Sequence, residues 1–416
     1  MPLSETLGQD RSGHATCKLK SALHLLGEKD ARVPIRAYPL TPSRVARALQ
    51  LGNSISTLVL SGGASKTLVS GQRLAYVSGE LDYWVDHILS RALHLLIKKQ
   101  PFFAISKTDP ARSITEVTGC DILPPPKLLL STQCVVLVFA NYKSRRAVVR
   151  VGACDEARSE VLRQKHGLEI ASTDPTLKAF VPHVLSHSVG ANGIQLLVET
   201  RLSGKPMPFS WRRVDAAKDM WLRARRPLVA GVGRPNLYEE LTLVCDSVSP
   251  YRDSLCVFRD LLLEWHSKSR LPADLAHGDL WIGNVLFSGD QVAGIVDWEW
   301  GHSDGLQVVD TLYLLLASHS VFRNSGMAQP FRELWADEVA DRSLRDRLRD
   351  LRLHFGLDST DFKFVALLLW FDILRQKVIR GRMPSKSWTE DMIPKTSPAI
   401  SKWLPRYLGE KLAPTA

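Results

Sequence analysis

The chain has 416 residues, of which 45% are hydrophobic and 23% charged, enough to bury two or three cores and too apolar for wholesale disorder. Its formal net charge of +11 favours anionic partners such as nucleotides or phosphorylated metabolites. The basic clusters Arg145-Arg146, Arg212-Arg213 and Arg223 to Arg226 are short, which argues against a nucleic-acid-binding arm and for a solvated cationic surface. Cys17, Cys120, Cys134, Cys154, Cys245 and Cys256 include no C-x-x-C pair, so neither a zinc ribbon nor a thioredoxin-type site is indicated. Scattered cysteines suit a reducing compartment, most of them acting as small buried hydrophobes. Met1 to Asp10 is polar, without an apolar signal core. The strongest apolar run, Val365 to Phe371 between Lys363 and Asp372, is too short to span a bilayer. A cytoplasmic protein without membrane insertion is expected.

In chain order, residues 1 to about 30 read as a weakly ordered leader. Residues 34 to 125 hold strand-like Ser56 to Leu60 and Arg73 to Val77 and a helical stretch from Leu81 to Lys98, which together predict a small α/β unit. Pro124-Pro125-Pro126 marks a boundary. Lys127 to Leu130, Cys134 to Phe139 and Ala147 to Val151 read as strands, the last two joined by a polar turn at Asn141 to Ser144. Glu156 to Lys165 reads as a helix. Val181 to Leu185 and Ile194 to Val198 read as further strands, ended by Leu202-Ser203-Gly204. Helical spacing then takes over in Val214 to Arg226, Leu237 to Val248 and Leu255 to Ser267. The segment Leu271 to Trp300 interrupts it with two short strands and a loop, and helices resume from Val308. A small β-rich lobe thus precedes a larger helical one, with a cleft between them expected to hold a ligand.

The chemistry concentrates in His277-Gly278-Asp279-Leu280-Trp281-Ile282-Gly283-Asn284, followed by an apolar strand, Ala293 to Val296, and Asp297-Trp298-Glu299-Trp300. A phosphoryl-transfer site needs a carboxylate for the proton of the attacking hydroxyl and oxygen ligands for magnesium on the nucleotide phosphates. Asp279 and Asn284 offer both from one tight loop, and Asp297, at the end of the next strand, can reach the same metal. Asp and Asn also cap turns, but turn-capping alone does not account for a second acid after a buried strand.

This pattern, H-G-D-x-x-x-x-N with a following strand and D-W-E, resembles the aminoglycoside phosphotransferase and choline kinase superfamily. The resemblance implies that Asp279 is the catalytic base, that Asn284 and Asp297 bind magnesium, and that His277 braces the loop. Gly278 stands where protein kinases have arginine. Asp310 is similar to the family aspartate that anchors the catalytic loop from a following helix. The stretch Leu196 to Gly204, with Glu199 and Arg201, is similar to the family hinge, whose backbone holds the adenine. Glu160 falls where the family places the helix glutamate paired with the nucleotide-binding lysine, with Glu156 one turn away as the other candidate. The position of that lysine is Arg150, a departure from the pattern, although a guanidinium can grip phosphate bidentately. A strand-surface arginine is the competing reading of this position. The phosphate-covering loop is expected at Ser131-Thr132-Gln133, with Gly62-Gly63 as a competitor read as a turn. Trp281 and Trp298 are expected to be structural, and Trp300 is left open between packing and recognition.

The resemblance covers residues 127 to 375. It implies an α+β, two-lobed protein-kinase-like fold with an additional N-terminal α/β unit: residues 1–125 for that unit, 126–202 for the small lobe and 203–416 for the large one. The implied activity is transfer of a phosphoryl group from ATP, with Mg2+, to a hydroxyl of a sugar-like or amino-alcohol metabolite or an antibiotic. A pseudokinase or nucleotide-binding scaffold is the alternative, motivated by Arg150 and the glycine-poor loop.

Overall fold

The computed structural model describes residues 55–60, 67–71, 120–122, 127–130, 136–152, 155–189, 193, 195–224, 236–269, 271–323, 325–379 and 392–412. The leader, the helical stretch Leu81 to Lys98, the proline boundary and both candidate phosphate loops lie outside these residues. What is described is a mixed structure with more helix than strand.

The first half is an antiparallel, eight-stranded sheet. Its strands are β1 (Ile55–Leu60), β2 (Thr67–Gly71), β3 (Asp121–Ile122), β4 (Lys127–Leu130), β5 (Val136–Tyr142), β6 (Arg145–Gly152), β7 (Val184–Val189) and β8 (Gln195–Thr200). The order is β2-β1-β4-β5-β6-β8-β7, with β3 paired to β5. The described strands of the N-terminal segment therefore extend the same sheet through the β1–β4 pairing. β5 and β6 meet at Tyr142 and Arg145 through a two-residue turn in which Lys143 and Ser144 both have positive φ, 48° and 63°. That is the backbone of a primed hairpin turn, which matches the twist of the strands.

Helix α1 (Asp155–Ala171) packs on this sheet through Ala157, Glu160, Val161, Gln164, Gly167, Leu168 and Ala171. The spacing of three and four is that of one helix face, and the stripe is unusual in burying Glu160 and Gln164. Val181 to Leu185 was expected to be a strand, yet β7 begins only at Val184. Pro182 has no N–H to give to a ladder, and the preceding Phe180 carbonyl accepts from Ile295 N–H at 2.7 Å.

The second half is helical: α2 (Trp211–Arg223), α3 (Leu237–Ser247), α4 (Arg252–Lys268), α5 (Gln307–Arg323), α6 (Ala328–Ala336), α7 (Arg342–His354), α8 (Ser359–Ile379) and α9 (Met392–Leu412). Side-chain caps start α2 and α7: Ser210 accepts from Arg213 N–H and Asp341 from Leu344 N–H, each satisfying a donor left over by the first turn. α5 and α8 are apolar on nearly every side and buried from Val308 to Leu316 and from Phe362 to Phe371 apart from single half-buried positions, as befits core helices. Between α4 and α5 lie two small antiparallel pairs, β9 (Asp274–Ala276) with β12 (His302–Gly305) and β10 (Val285–Ser288) with β11 (Gln291–Ile295). They frame the segment from His277 to Trp300.

α1 meets this segment at Gly167. A Cβ there would lie 1.9 Å from the Trp298 backbone oxygen, so only glycine permits this approach. Gly167→Ala is expected to push α1 off the segment and to lower stability by about 1–3 kcal/mol, the usual cost of overpacking. Urea denaturation of the variant checks this; an unchanged midpoint would show that the contact yields freely.

Candidate active site

The loop from His277 to Asn284 has little regular structure apart from a 3-10 turn at Ile282–Asn284, so its backbone groups need other partners. Asp310, in the first turn of α5, supplies two: its carboxylate accepts from the N–H groups of His277 (2.5 Å) and Gly278 (2.9 Å). Gln376 of α8 donates its Nε2 to the Gly278 carbonyl at 2.6 Å. Gly278 sits at φ 76°, and a Cβ on it would lie 2.6 Å from the Trp300 oxygen. Backbone strain and lack of room both select glycine here.

His277 is fully buried. Its Nδ1 accepts from the Asp279 N–H (3.2 Å), so its Nε2 carries the proton and donates to the Val296 carbonyl (3.0 Å). Both bonds require the neutral ring. Burial accordingly holds the imidazole down at about 4, against the pull of the Val296 bond. Burial also pushes the Asp310 carboxyl up to about 7; the two backbone bonds pull it down, and Asp372 and Asp279 add to the upward push.

Asn284 is buried and donates Nδ2 to the Asp279 carbonyl (2.8 Å) and to Asp279 Oδ2 (3.3 Å). The Val296 N–H donates to the Asn284 carbonyl at 2.9 Å, fixing the next strand against the loop. Asp297 follows with φ 70°. A non-glycine residue in the left-handed region costs on the order of 1–3 kcal/mol and persists only where its surroundings impose it. Here Arg150 Nη1 lies 3.4 Å from Asp297 Oδ1.

Arg150 is buried on β6. Its Nε donates to Glu199 Oε1 at 3.2 Å, and Gln164 of α1 donates to Glu199 Oε2 at 3.0 Å. Arg150 is thus an interior residue and not a strand-surface arginine, and Glu199 of β8 meets it through the side chain. Glu160 is buried one turn before Gln164 on the same face of α1. Arg201 is half-buried just beyond β8, its N–H bonded to the Arg146 carbonyl at 3.0 Å. Trp298 is fully buried and ties its indole N–H to the Ile295 carbonyl. Trp300 is buried too, with the guanidinium groups of Arg163 and Arg375 4.9 and 5.9 Å from its ring, so its surroundings are those of packing. Trp281 is half-buried against the core.

The loop, Asp297 and Arg150 are brought together as the sequence suggested. Gln164, Gln376 and Asp372 were not foreseen. Gln164 was within reach, since it lies four residues after Glu160 and shares its face; nothing local signals Gln376. A shallow cleft opens beside Gly278 and Asp310. It is lined by neither Asp279, Asn284 nor Asp297, and its other acids are engaged, Asp304 by His302 at 2.8 Å and Asp372 by Arg375 at 3.7 Å. We therefore do not read it as the reaction centre.

Residues 194–302 match the sequence model of the phosphotransferase enzyme family. That stretch runs from just before β8 to the first residue of β12 and contains the loop motif that carries the resemblance. No curated protein matches the chain in sequence. Solved structures similar to it include a thermostable mutant of aminoglycoside phosphotransferase APH(4)-Ia in ternary complex with ADP and hygromycin B, at 13% identity and TM-score 0.48, covering 70% of this chain and 99% of that one. Aminoglycoside phosphotransferase APH(3'')-Id from Streptomyces rimosus ATCC10970 is similar at 16% identity and TM-score 0.41, covering 68% and 98%. Among the described residues no helix is long and apolar enough to cross a membrane.

The neutral, buried His277 links stability to pH. Its folded value lies below the ordinary 6.5, so the unfolded chain takes up the proton first. The contribution is complete above about pH 6.5 and is lost as pH falls towards 4. Between those limits the wild-type denaturation midpoint is expected to fall more steeply with acid than that of His277→Gln. Parallel profiles for the two proteins would contradict the buried neutral ring.

Proposed function

We propose that this protein is an ATP- and magnesium-dependent phosphotransferase with a protein-kinase-like arrangement, acting on a hydroxyl group of a small molecule. The observation that carries the reading is the Asn284 amide bond to Asp279. Spending Nδ2 on that loop leaves Oδ1 to a cation and fixes the Asp279 carboxylate beside it. Asp297 supplies a further oxygen ligand. Among the described residues no group of three or more His, Cys, Asp and Glu is arranged to hold a metal. A pair of hard oxygen donors suits magnesium, which takes few protein ligands and completes its shell with phosphate and water. When bound, the ion supplies neutralisation of the charge on the transferred group.

The residues of the chain do the rest. Asp279 accepts or orients the proton of the acceptor hydroxyl, so that the oxygen attacks in line. His277, neutral and held at both nitrogens, keeps the Asp279 backbone in place without exchanging protons. Arg150 presents a permanent charge from within the sheet to the phosphates. The acceptor is an alcohol of the sugar-like or amino-alcohol kind, the nucleotide lies along β8 and the segment after it, and no nucleic acid or membrane is part of the reaction. A catalytically silent nucleotide-binding scaffold is the second reading, favoured by one observation: Arg150 already engages Asp297, the proposed metal ligand. Magnesium-dependent ATP turnover with an alcohol acceptor, screened over sugars, amino alcohols and antibiotics, separates the two.

Base and metal ligand separate by variant. Asp279→Ala should lower turnover by about a hundredfold to ten-thousandfold while calorimetry still detects Mg·ATP binding. Asp297→Ala should lose that binding as well as transfer. Near-normal turnover in either would sink its assignment.

Arg150→Ala should raise the KM for ATP and lower turnover. Arg150→Lys should recover part of the loss, since it keeps the charge without the planar fork. Steady-state kinetics with ATP varied is the check. Kinetics indifferent to both changes would remove Arg150 from the nucleotide site.

A further inference from the structure

The peptide that joins Gly278 to Asp279 is held at both edges. Its carbonyl accepts from Gln376 Nε2 at 2.6 Å, and its N–H donates to His277 Nδ1 at 3.2 Å. The two amides before it donate to Asp310 of α5. α8 therefore grips the loop from a second element, one peptide closer to the Asp279 side chain.

This peptide needs a hold because of the residue before it. Gly278 has φ 76°, and without a Cβ it is hydrogen bonding that decides which way the next peptide plane faces. Turning that plane over swings Asp279 and its carboxylate. Asn284 Nδ2 ties the far side of the same residue, at 2.8 Å to its carbonyl and 3.3 Å to Oδ2. A carboxylate that takes a proton has to be placed to within about 0.5 Å.

Gln376 is out of keeping with its helix. α8 is apolar on nearly every side, and Gln376 is 6% exposed. A buried amide costs stability unless it is bonded, so packing does not account for a glutamine here, whereas the bond to the loop does. The end of α8 is itself anchored: Arg375 lies 2.6 Å from Glu240 of α3 and 3.7 Å from Asp372.

We propose that Gln376 is a positioning residue for transfer: by fixing the peptide between Gly278 and Asp279 it aims the Asp279 carboxylate at the acceptor hydroxyl. The inference rests on the reading of Asp279 as the base. Gln376 acts through the loop and not on a reactant.

Two variants of the full-length protein test it. Gln376→Met keeps the length of the side chain and removes the donor. Gln376→Glu keeps the shape and donates to the carbonyl only while protonated. With ATP and an accepted alcohol, Gln376→Met should lower kcat by about ten- to a hundredfold, with the KM for ATP within about twofold of wild type. For Gln376→Glu, the ratio of its kcat to that of wild type should climb as pH falls, because protonation restores the donor. The ionisable groups around this position are Asp310 of α5, His277 and Asp279 of the loop, Glu240 of α3 and, on α8, Asp372 and Arg375. Burial and the nearby carboxylates hold the introduced acid above the ordinary glutamic-acid range, with Arg375 opposing. A residue that only holds the fold together would lower the melting midpoint but leave kcat, counted per molecule that binds Mg·ATP in calorimetry, unchanged at every pH. That result would overturn the proposal.

Hydrogen exchange reads the clamp without turnover. In Gln376→Met the amides of His277 to Asp279 should exchange about tenfold faster, as expected from the loss of one buried hydrogen bond, while those of β10 and β11 keep their rates. Equal loop rates in the two proteins would overturn the proposal even where the kinetics shift. A wild-type protein that transfers phosphate to no alcohol would instead overturn the reading of Asp279 as base, and with it any role of Gln376 in transfer.

Discussion

One carboxylate, that of Asp310, receives two successive backbone N–H groups of the loop, from His277 and Gly278. Much of the site depends on this grip. An irregular loop inside a protein must find partners for its amides, and a short side chain can supply them only from a rigid, nearby element. Asp310 is placed by the first turn of α5, where a helix N-terminus favours negative charge. α5 is itself surrounded by core. The position of the loop backbone is thus set by the packing of a helix that lies outside the loop.

A second polar connection joins the loop to the sheet. Gln164 of α1, Glu199 of β8, Arg150 of β6 and Asp297 after β11 form a continuous chain of contacts. Each member comes from a different element. Buried polar groups without partners are costly, so a connected set is stable only in its full arrangement. The left-handed backbone of Asp297 follows from the same requirement. The strand before it is held by Asn284 and the residue after it by the close approach of Gly167 to Trp298, so the chain has to turn within one residue.

The ease with which parts of this could be read from the sequence tracks separation along the chain. Asp279 and Asn284 act within one loop, and their spacing is visible directly. β5 and β6 are neighbours joined by a polar turn, so alternation and β-branching reveal them. α1 shows its face through periodicity, yet the role of Gln164 depends on Glu199, 35 residues away. Gln376 reaches Gly278 across 98 residues, and a glutamine in an apolar helix carries no sign of its partner. Val181 to His183 illustrates the converse. Its composition is that of a strand, but Pro182 and the tether from Phe180 to Ile295 keep it out of the ladder. The triple proline reads as a boundary in the sequence, while β1 on one side of it pairs with β4 on the other. A break in regular structure along the chain does not mark a break in a sheet whose order differs from sequence order.

Arg150 is the place where this sequence leaves the pattern of the family it resembles, and the geometry gives the substitution a physical meaning. A lysine ammonium is a compact point charge on a flexible stem. The guanidinium is a planar fork, and here its Nε faces Glu199 while its Nη1 faces Asp297. One side chain can therefore engage a carboxylate of the sheet and a carboxylate of the loop at once. Lysine could satisfy both only by sharing one nitrogen. A guanidinium also brings a larger, more weakly hydrated cation into the interior, and two flanking carboxylates offset the cost of burying it. Glu199, set on the strand that leads into the helical half, then meets Arg150 with one carboxylate oxygen and Gln164 with the other. The departure at Arg150 and the polar residues buried on α1 and β8 are parts of one arrangement, each making the others necessary.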